Sequence, residues 1–199
     1  MLIDFIETIE SRKKNLNERI ALLEKVKTSL KIQGPISFSK DDILEDDKYN
    51  PRKKGQKVGV AQLNFLEDLK GSYIYIFVLE PNTNKTVLVE NINQFRSREN
   101  KDIEGNDARR ATAKVPKGIE NNNSDVLYVG SILNDIHSRI KAHIGFGSKT
   151  YYAMHLKFWA PKDLKLNFYY CKVEEPKIIN DIEAALADQL NPLIGKREK

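Results

Sequence analysis

The chain has 199 residues, 40% of them hydrophobic and 31% charged, which suits a soluble globular protein with enough apolar residues for a core. Its net charge of +5 hints at a polyanionic partner. A single cysteine, Cys171, excludes an internal disulfide and a cysteine-only zinc cluster and suits a reducing compartment, and no apolar run reaches the length of a membrane span.

The first residues, Met1-Leu-Ile-Asp-Phe-Ile-Glu, carry acids where a signal peptide has basic residues, so the expectation is a cytoplasmic protein without a membrane partner. Residues 1 to about 32 read as helix. Ile9, Leu16, Leu23 and Leu30 recur every seven positions, with Ile6 and Ile20 on the adjoining seam. Lys13 and Lys27 share that second seam. Residues 1–33 are therefore a dimerisation helix or helical hairpin, giving a homodimer, or else a helix laid on its own domain. Gly34-Pro35 ends the helix. Residues 34–69 read as a polar linker with a short amphipathic segment from Val60 to Leu69, because acids at 41–47 are followed by bases at 52–57.

From Tyr73 to Leu79 apolar side chains alternate as in a strand: Tyr73, Tyr75 and Phe77 on one face, Ile74, Ile76 and Val78 on the other. Asn84 to Glu90 reads as an added strand. Gln94 to Asn123 is polar and carries Arg96, Arg98, Arg109, Arg110, Lys114 and Lys117, which suggests an arm that orders on nucleic acid or else a solvated loop. Val126 to Val129 is a second strand, expected to break at Gly130. Leu133, Ile136, Ile140 and Ile144 then mark a helix with Arg139 and His143 at its edge, one turn apart. A further helix is expected over Lys149–Trp159, a third strand over Leu164–Tyr170, and a last helix over Ile178–Leu190 ending at Asn191-Pro192. From Arg139 through Lys172 there are seven Lys and Arg, Lys141 and Lys149 among them, against Asp163 alone, a local charge of +6 (7 − 1).

Four separated pieces now line up. Tyr73-Ile-Tyr75-Ile-Phe77 and Tyr128-Val-Gly130 resemble the two halves of the GIY-YIG nuclease signature. Arg139-Ile-Lys-Ala-His143 is similar to its Arg-x-x-x-His helix, and Glu183 in Ile182-Glu-Ala-Ala to its later glutamate. The likeness covers residues 71–79 and 126–199. Tyr75 and Tyr128 stand 53 positions apart (128 − 75), so a long insertion at about 80–124 interrupts the usual hairpin. What the resemblance implies is an α/β domain over 70–199, with a small, mainly antiparallel three-stranded sheet flanked by helices, preceded by the helical extension.

It also implies a metal-dependent DNA endonuclease acting on double-stranded DNA, or a silent module of the same kind that binds nucleic acid or a partner protein. A structural α/β protein in which the four matches coincide is the remaining reading. In the nuclease, Tyr75 handles the proton of the attacking water, Tyr128 orients that water or the phosphate, and His143 assists. Glu183 holds Mg²⁺ or Mn²⁺, and one carboxylate suits a hard cation that keeps most of its waters. Arg139 can grip a phosphate through two parallel hydrogen bonds. A phenol with pKa about 10 is a poor base, so Arg139 and the cation are expected to lower it. The family's terminal asparagine aligns with Gly195, leaving Asn191 as a substitute.

Overall fold

In the computed structural model, residues 2–43, 59–97, 122–147 and 152–195 are described. They form an α/β fold around a four-stranded antiparallel sheet. Its strands are β1 (Gln33–Ser39), β2 (Tyr73–Leu79), β3 (Val126–Ile132) and β4 (Lys165–Lys172), in the order β1-β4-β2-β3. The expected three strands are β2, β3 and β4. The fourth, β1, comes from the stretch read as linker. Its Ile36 and Phe38 pair with Phe168 and Leu166 and add to the core, and Phe38 meets Phe77 edge-on at 6.3 Å. Pro35 lacks an N–H and is tolerated because β1 is an edge strand.

Alternation along β2 sends its residues into two cores, one on each face of the sheet. Tyr73, Tyr75, Phe77 and Leu79 join the larger core, while Ile74 joins a smaller one with Val26, Val173, Ile178, Ile179 and Ile182. The larger core is covered by helices α2 (Lys85–Ser97), α3 (Ile136–Ile144) and α4 (Leu156–Trp159) and by a 3-10 turn, Ala61–Asp68, that buries Leu63 and Leu66. Helix α5 (Ile179–Leu190) and the end of α1 (Leu2–Lys27) lie on the smaller core.

Several elements differ from expectation for local reasons. Helix α1 stops at Lys27, before the expected 32. Asn84–Glu90 opens a helix and not a strand. Asn84 Oδ1 accepts the Val87 N–H at 3.2 Å as a cap, and Leu88, Ile92 and Phe95 then fall on one buried face. Of the expected Lys149–Trp159 helix, residues 149–151 lie outside the described residues, and from 152 on it is confined to α4, because His155 takes a left-handed conformation (φ 56°) immediately before it. Gly130 does not end β3, which runs on to Ile132. Strict alternation would set Leu127 on the face opposite Tyr128. A register shift, with Phe77 against Tyr128 but Val78 against Val126, inserts Leu127 as an extra residue and lets both enter the larger core.

After α5, Asn191 turns the chain in a left-handed conformation (φ 47°). The Leu193 and Ile194 N–H groups then donate to the carbonyls of Val126 and Leu127, at 2.9 and 3.0 Å, along the free edge of β3. The tail thus crosses from the small core to the large one, where Leu193 and Ile194 are fully buried. Among the described residues no helix is long and apolar enough to cross a membrane.

Candidate active site

Strand register brings the two tyrosines together. Tyr75 pairs with Gly130 and Phe77 with Tyr128, so Tyr75 and Tyr128 are diagonal neighbours on one sheet face. Their rings stack at 6.2 Å with an 18° tilt. Gly130 is what permits this. A Cβ there would lie 2.5 Å from Tyr75 Oη and 2.6 Å from Tyr128 Cε1, so the glycine serves close approach inside a continuing strand.

Helix α3 carries the next two residues. Asp135 caps it, accepting the Ser138 N–H at 2.9 Å, and Ile136, Ile140 and Ile144 seat it on the large core; Leu133 precedes the helix and is exposed. Arg139 Nε donates to Tyr75 Oη at 3.1 Å, Nη2 to Tyr128 Oη at 3.3 Å and Nη1 to the Tyr152 carbonyl at 2.9 Å. One planar guanidinium thus spans both phenols. His143 is fully buried, with its ring 4.6 Å from that of Tyr128. Its Nδ1 accepts the Met154 N–H at 3.2 Å, so in the neutral ring Nε2 bears the proton and donates to Tyr75 Oη at 2.9 Å. Burial, then the charge of Arg139 and that of His155, holds the imidazolium pKa well below the usual histidine range, which keeps the ring neutral.

Tyr75 Oη therefore receives two hydrogen bonds. The expected lowering of its pKa is nevertheless reversed: burial pushes it far up, the Tyr128 and Glu183 charges add to this, and Arg139 only partly opposes it. Tyr128 is raised by burial as well, against Arg139. In the free protein both phenols keep their protons.

Glu183 projects from α5 on the other side of β3. It accepts a short hydrogen bond from Ser131 Oγ, the residue after Gly130, and is half-buried. Its charge reaches both tyrosines, since it pushes each phenol upward. The site thus straddles the free end of β3, tyrosines and arginine on one face and the carboxylate on the other. The chain matches no protein-family model, no curated protein and no solved structure. Among the described residues no three His, Cys, Asp or Glu converge on one point. Among the described residues, Glu183 is the carboxylate bound to the strand that carries Tyr128 and Gly130, and one carboxylate fits a hard ion that keeps its waters.

The remaining candidates separate from this cluster. Lys141 sits half-buried on α3, and burial lowers its ammonium pKa. Arg96 lies in the last turn of α2, which packs against α4. Asn191 is exposed and serves as the cap of α5, its carbonyl accepting from Asn122 Nδ2 at 2.9 Å, while a Cβ at Gly195 would lie 3.6 Å from the Tyr128 ring. Arg98, Arg109, Arg110, Lys114, Lys117 and Lys149 lie outside the described residues. Sequence reading missed Ser131 and the backbone groups of Tyr152 and Met154. Only Ser131 had a signal, a hydroxyl directly following the glycine of a candidate motif.

Proposed function

We propose that the chain is a metal-dependent endonuclease of the GIY-YIG type that hydrolyses phosphodiester bonds in double-stranded DNA. The observation that carries this reading is the single guanidinium of Arg139 joined to both tyrosine hydroxyls, with Glu183 fixed by Ser131 on the same strand end. In hydrolysis a water oxygen bonds to phosphorus as the P–O bond to the leaving sugar oxygen breaks. Arg139 is half-exposed and can turn part of its fork to a phosphate, neutralising charge that builds in the transition state. Tyr128 orients the water or the phosphate. Tyr75 relays the water's proton to solvent through an oxygen that two donors stabilise whenever it becomes negative, and the leaving sugar oxygen takes a proton from solvent. His143 holds that oxygen in place. Mg²⁺ or Mn²⁺ at Glu183, when bound, supplies positive charge beside the phosphate oxygens. The basic residues 96–117 and 139–172 supply the attraction to the duplex.

A second reading, a related module that binds nucleic acid or a protein without cutting, is favoured by one observation. Tyr75 is fully buried, and burial keeps its phenol protonated. Incubating the protein and Glu183→Gln with several duplex DNAs, with and without Mg²⁺ or Mn²⁺, decides between the two. Cleavage by the wild type that needs metal and vanishes in Glu183→Gln, with DNA binding kept, supports the nuclease. Binding without cleavage by the wild type moves the protein to the silent class.

A further inference from the structure

Among the described residues, helix α1 meets its own domain through its C-terminal part, from Arg19 onward. Val26 and Leu22 enter the small core, Arg19 pairs with Asp181, and Lys25 pairs with Glu175. Every residue from 6 to 21 is exposed, although Arg19 still reaches Asp181. Along the helix runs an exposed apolar stripe, with no partner among the described residues: Ile6 (55% exposed), Ile9 (49%), Leu16 (59%) and Ile20 (57%), continued by Leu23. Most of a helix's stability in a protein comes from packing its apolar face, and an apolar stripe on a protruding element marks an interface.

We propose that a second copy of this chain covers the stripe, in a parallel two-stranded coiled coil. Ile6 and Ile20 take the first core position of the heptad, with Lys13 and Lys27, while Ile9, Leu16 and Leu23 take the second. Isoleucine at the first, in Ile6 and Ile20, and leucine at the second, in Leu16 and Leu23, favour two strands, and the lysines at 13 and 27 specify register at a cost in stability. Charge selects the direction. In the parallel pair Arg19 flanks Glu24 of the second copy. An antiparallel pair that keeps the apolar layers in step sets Arg12 against Arg19 of the second copy, two like charges. Leu22 and Val26, which meet the parent domain, lie beside the stripe and not on it, so covering the apolar stripe breaks neither contact, while Arg19 is shared between Asp181 and Glu24 of the second copy. Both globular parts then leave the coil at the same end. In the nuclease reading this sets two sites side by side for one duplex, but the pairing itself does not depend on that reading.

Sedimentation equilibrium of the full chain gives the test. The expected mass is twice that of the chain. Leu16→Glu with Ile20→Glu should return it to one while the melting of the globular part is unchanged, since both side chains are exposed in the single chain. Ile9→Cys should form an intermolecular disulfide on mild oxidation, whereas the wild type, whose Cys171 is buried, should not. A monomeric wild type overturns the proposal and leaves the stripe to another protein or to the chain's own residues outside the described set. A dimer that survives the double glutamate variant places the contact elsewhere. Crosslinking between Ile9→Cys and Ile20→Cys chains, but not between two Ile9→Cys chains, overturns the parallel direction.

Discussion

Replacing Tyr75 by phenylalanine keeps the ring on the sheet and deletes an oxygen that accepts from both His143 Nε2 and Arg139 Nε. His143 cannot answer by moving its proton to Nδ1, because that atom already accepts the Met154 N–H. A fully buried N–H is left without an acceptor, which costs about 1–3 kcal/mol. Arg139 adds little, since it is half-exposed and keeps the Tyr152 carbonyl and Tyr128. For a protein of this size that corresponds to a fall in Tm of roughly 3–10 °C. Thermal unfolding followed by circular dichroism reads it directly. In a His143→Phe background the same change should cost well under about 1 kcal/mol, because the orphaned donor is gone. If Tyr75→Phe melts like the wild type, the hydroxyl is not the acceptor described and the tautomer of His143 is wrong. Single-turnover cleavage is a separate readout. In the nuclease reading the rate drops by about 10²–10⁴-fold beyond what instability explains.

Gly130→Ala should destabilise by about 1–3 kcal/mol, because the buried Tyr75 and Tyr128 rings cannot retreat from the new methyl; denaturant titration measures this, and a neutral result refutes the close approach. Ser131→Ala frees the Glu183 carboxylate and, in the nuclease reading, raises the metal concentration needed for half-maximal cleavage by about 10–100-fold at unchanged saturating DNA. An unchanged metal requirement would make the Ser131 contact incidental. Burial opposes ionisation of Asp135, but the Ser138 hydroxyl and N–H outweigh it and hold its pKa below the usual carboxylate value. Its capping contribution, about 1 kcal/mol, is therefore present at neutral pH and lost as pH falls through that depressed value. Asp135→Ala should melt below the wild type at pH 7, with the gap narrowing in acid; a constant gap refutes the assignment.

Much of this fold could be read from periodicity. The β2 strand was legible because large apolar side chains fill both alternating faces, and α3 and α5 because Ile136, Ile140, Ile144 and Ile179, Ile182, Leu186 keep helical spacing. The β1 strand escaped because only Ile36 and Phe38 mark it among Gly, Pro and Ser, a composition that an edge position tolerates. Val87 and Val89 made α2 look like a strand until the Asn84 cap and the Leu88–Ile92–Phe95 face decided otherwise. Within the site, the Tyr75, Tyr128, Arg139 cluster was legible as types and order. Its electrostatics were not, because the pKa of Tyr75 depends on how completely strands, α3 and Phe168 enclose it. No spacing rule could link Ser131 to Glu183, 52 positions away.

The tail that lies along β3 has a consequence for how molecules of this protein meet one another. An uncovered strand edge is a template on which a neighbouring chain can add its own strand. Leu193 and Ile194 occupy the Val126 and Leu127 carbonyls and hide their own side chains in the core. A chain ending at Pro192 retains Tyr75, Tyr128, Arg139 and Glu183, yet it presents those carbonyls beside an opened apolar groove. Such a chain should fold and then self-associate edge to edge, scattering light at concentrations where the full-length protein stays clear. Restoring only the last two buried residues should suppress it.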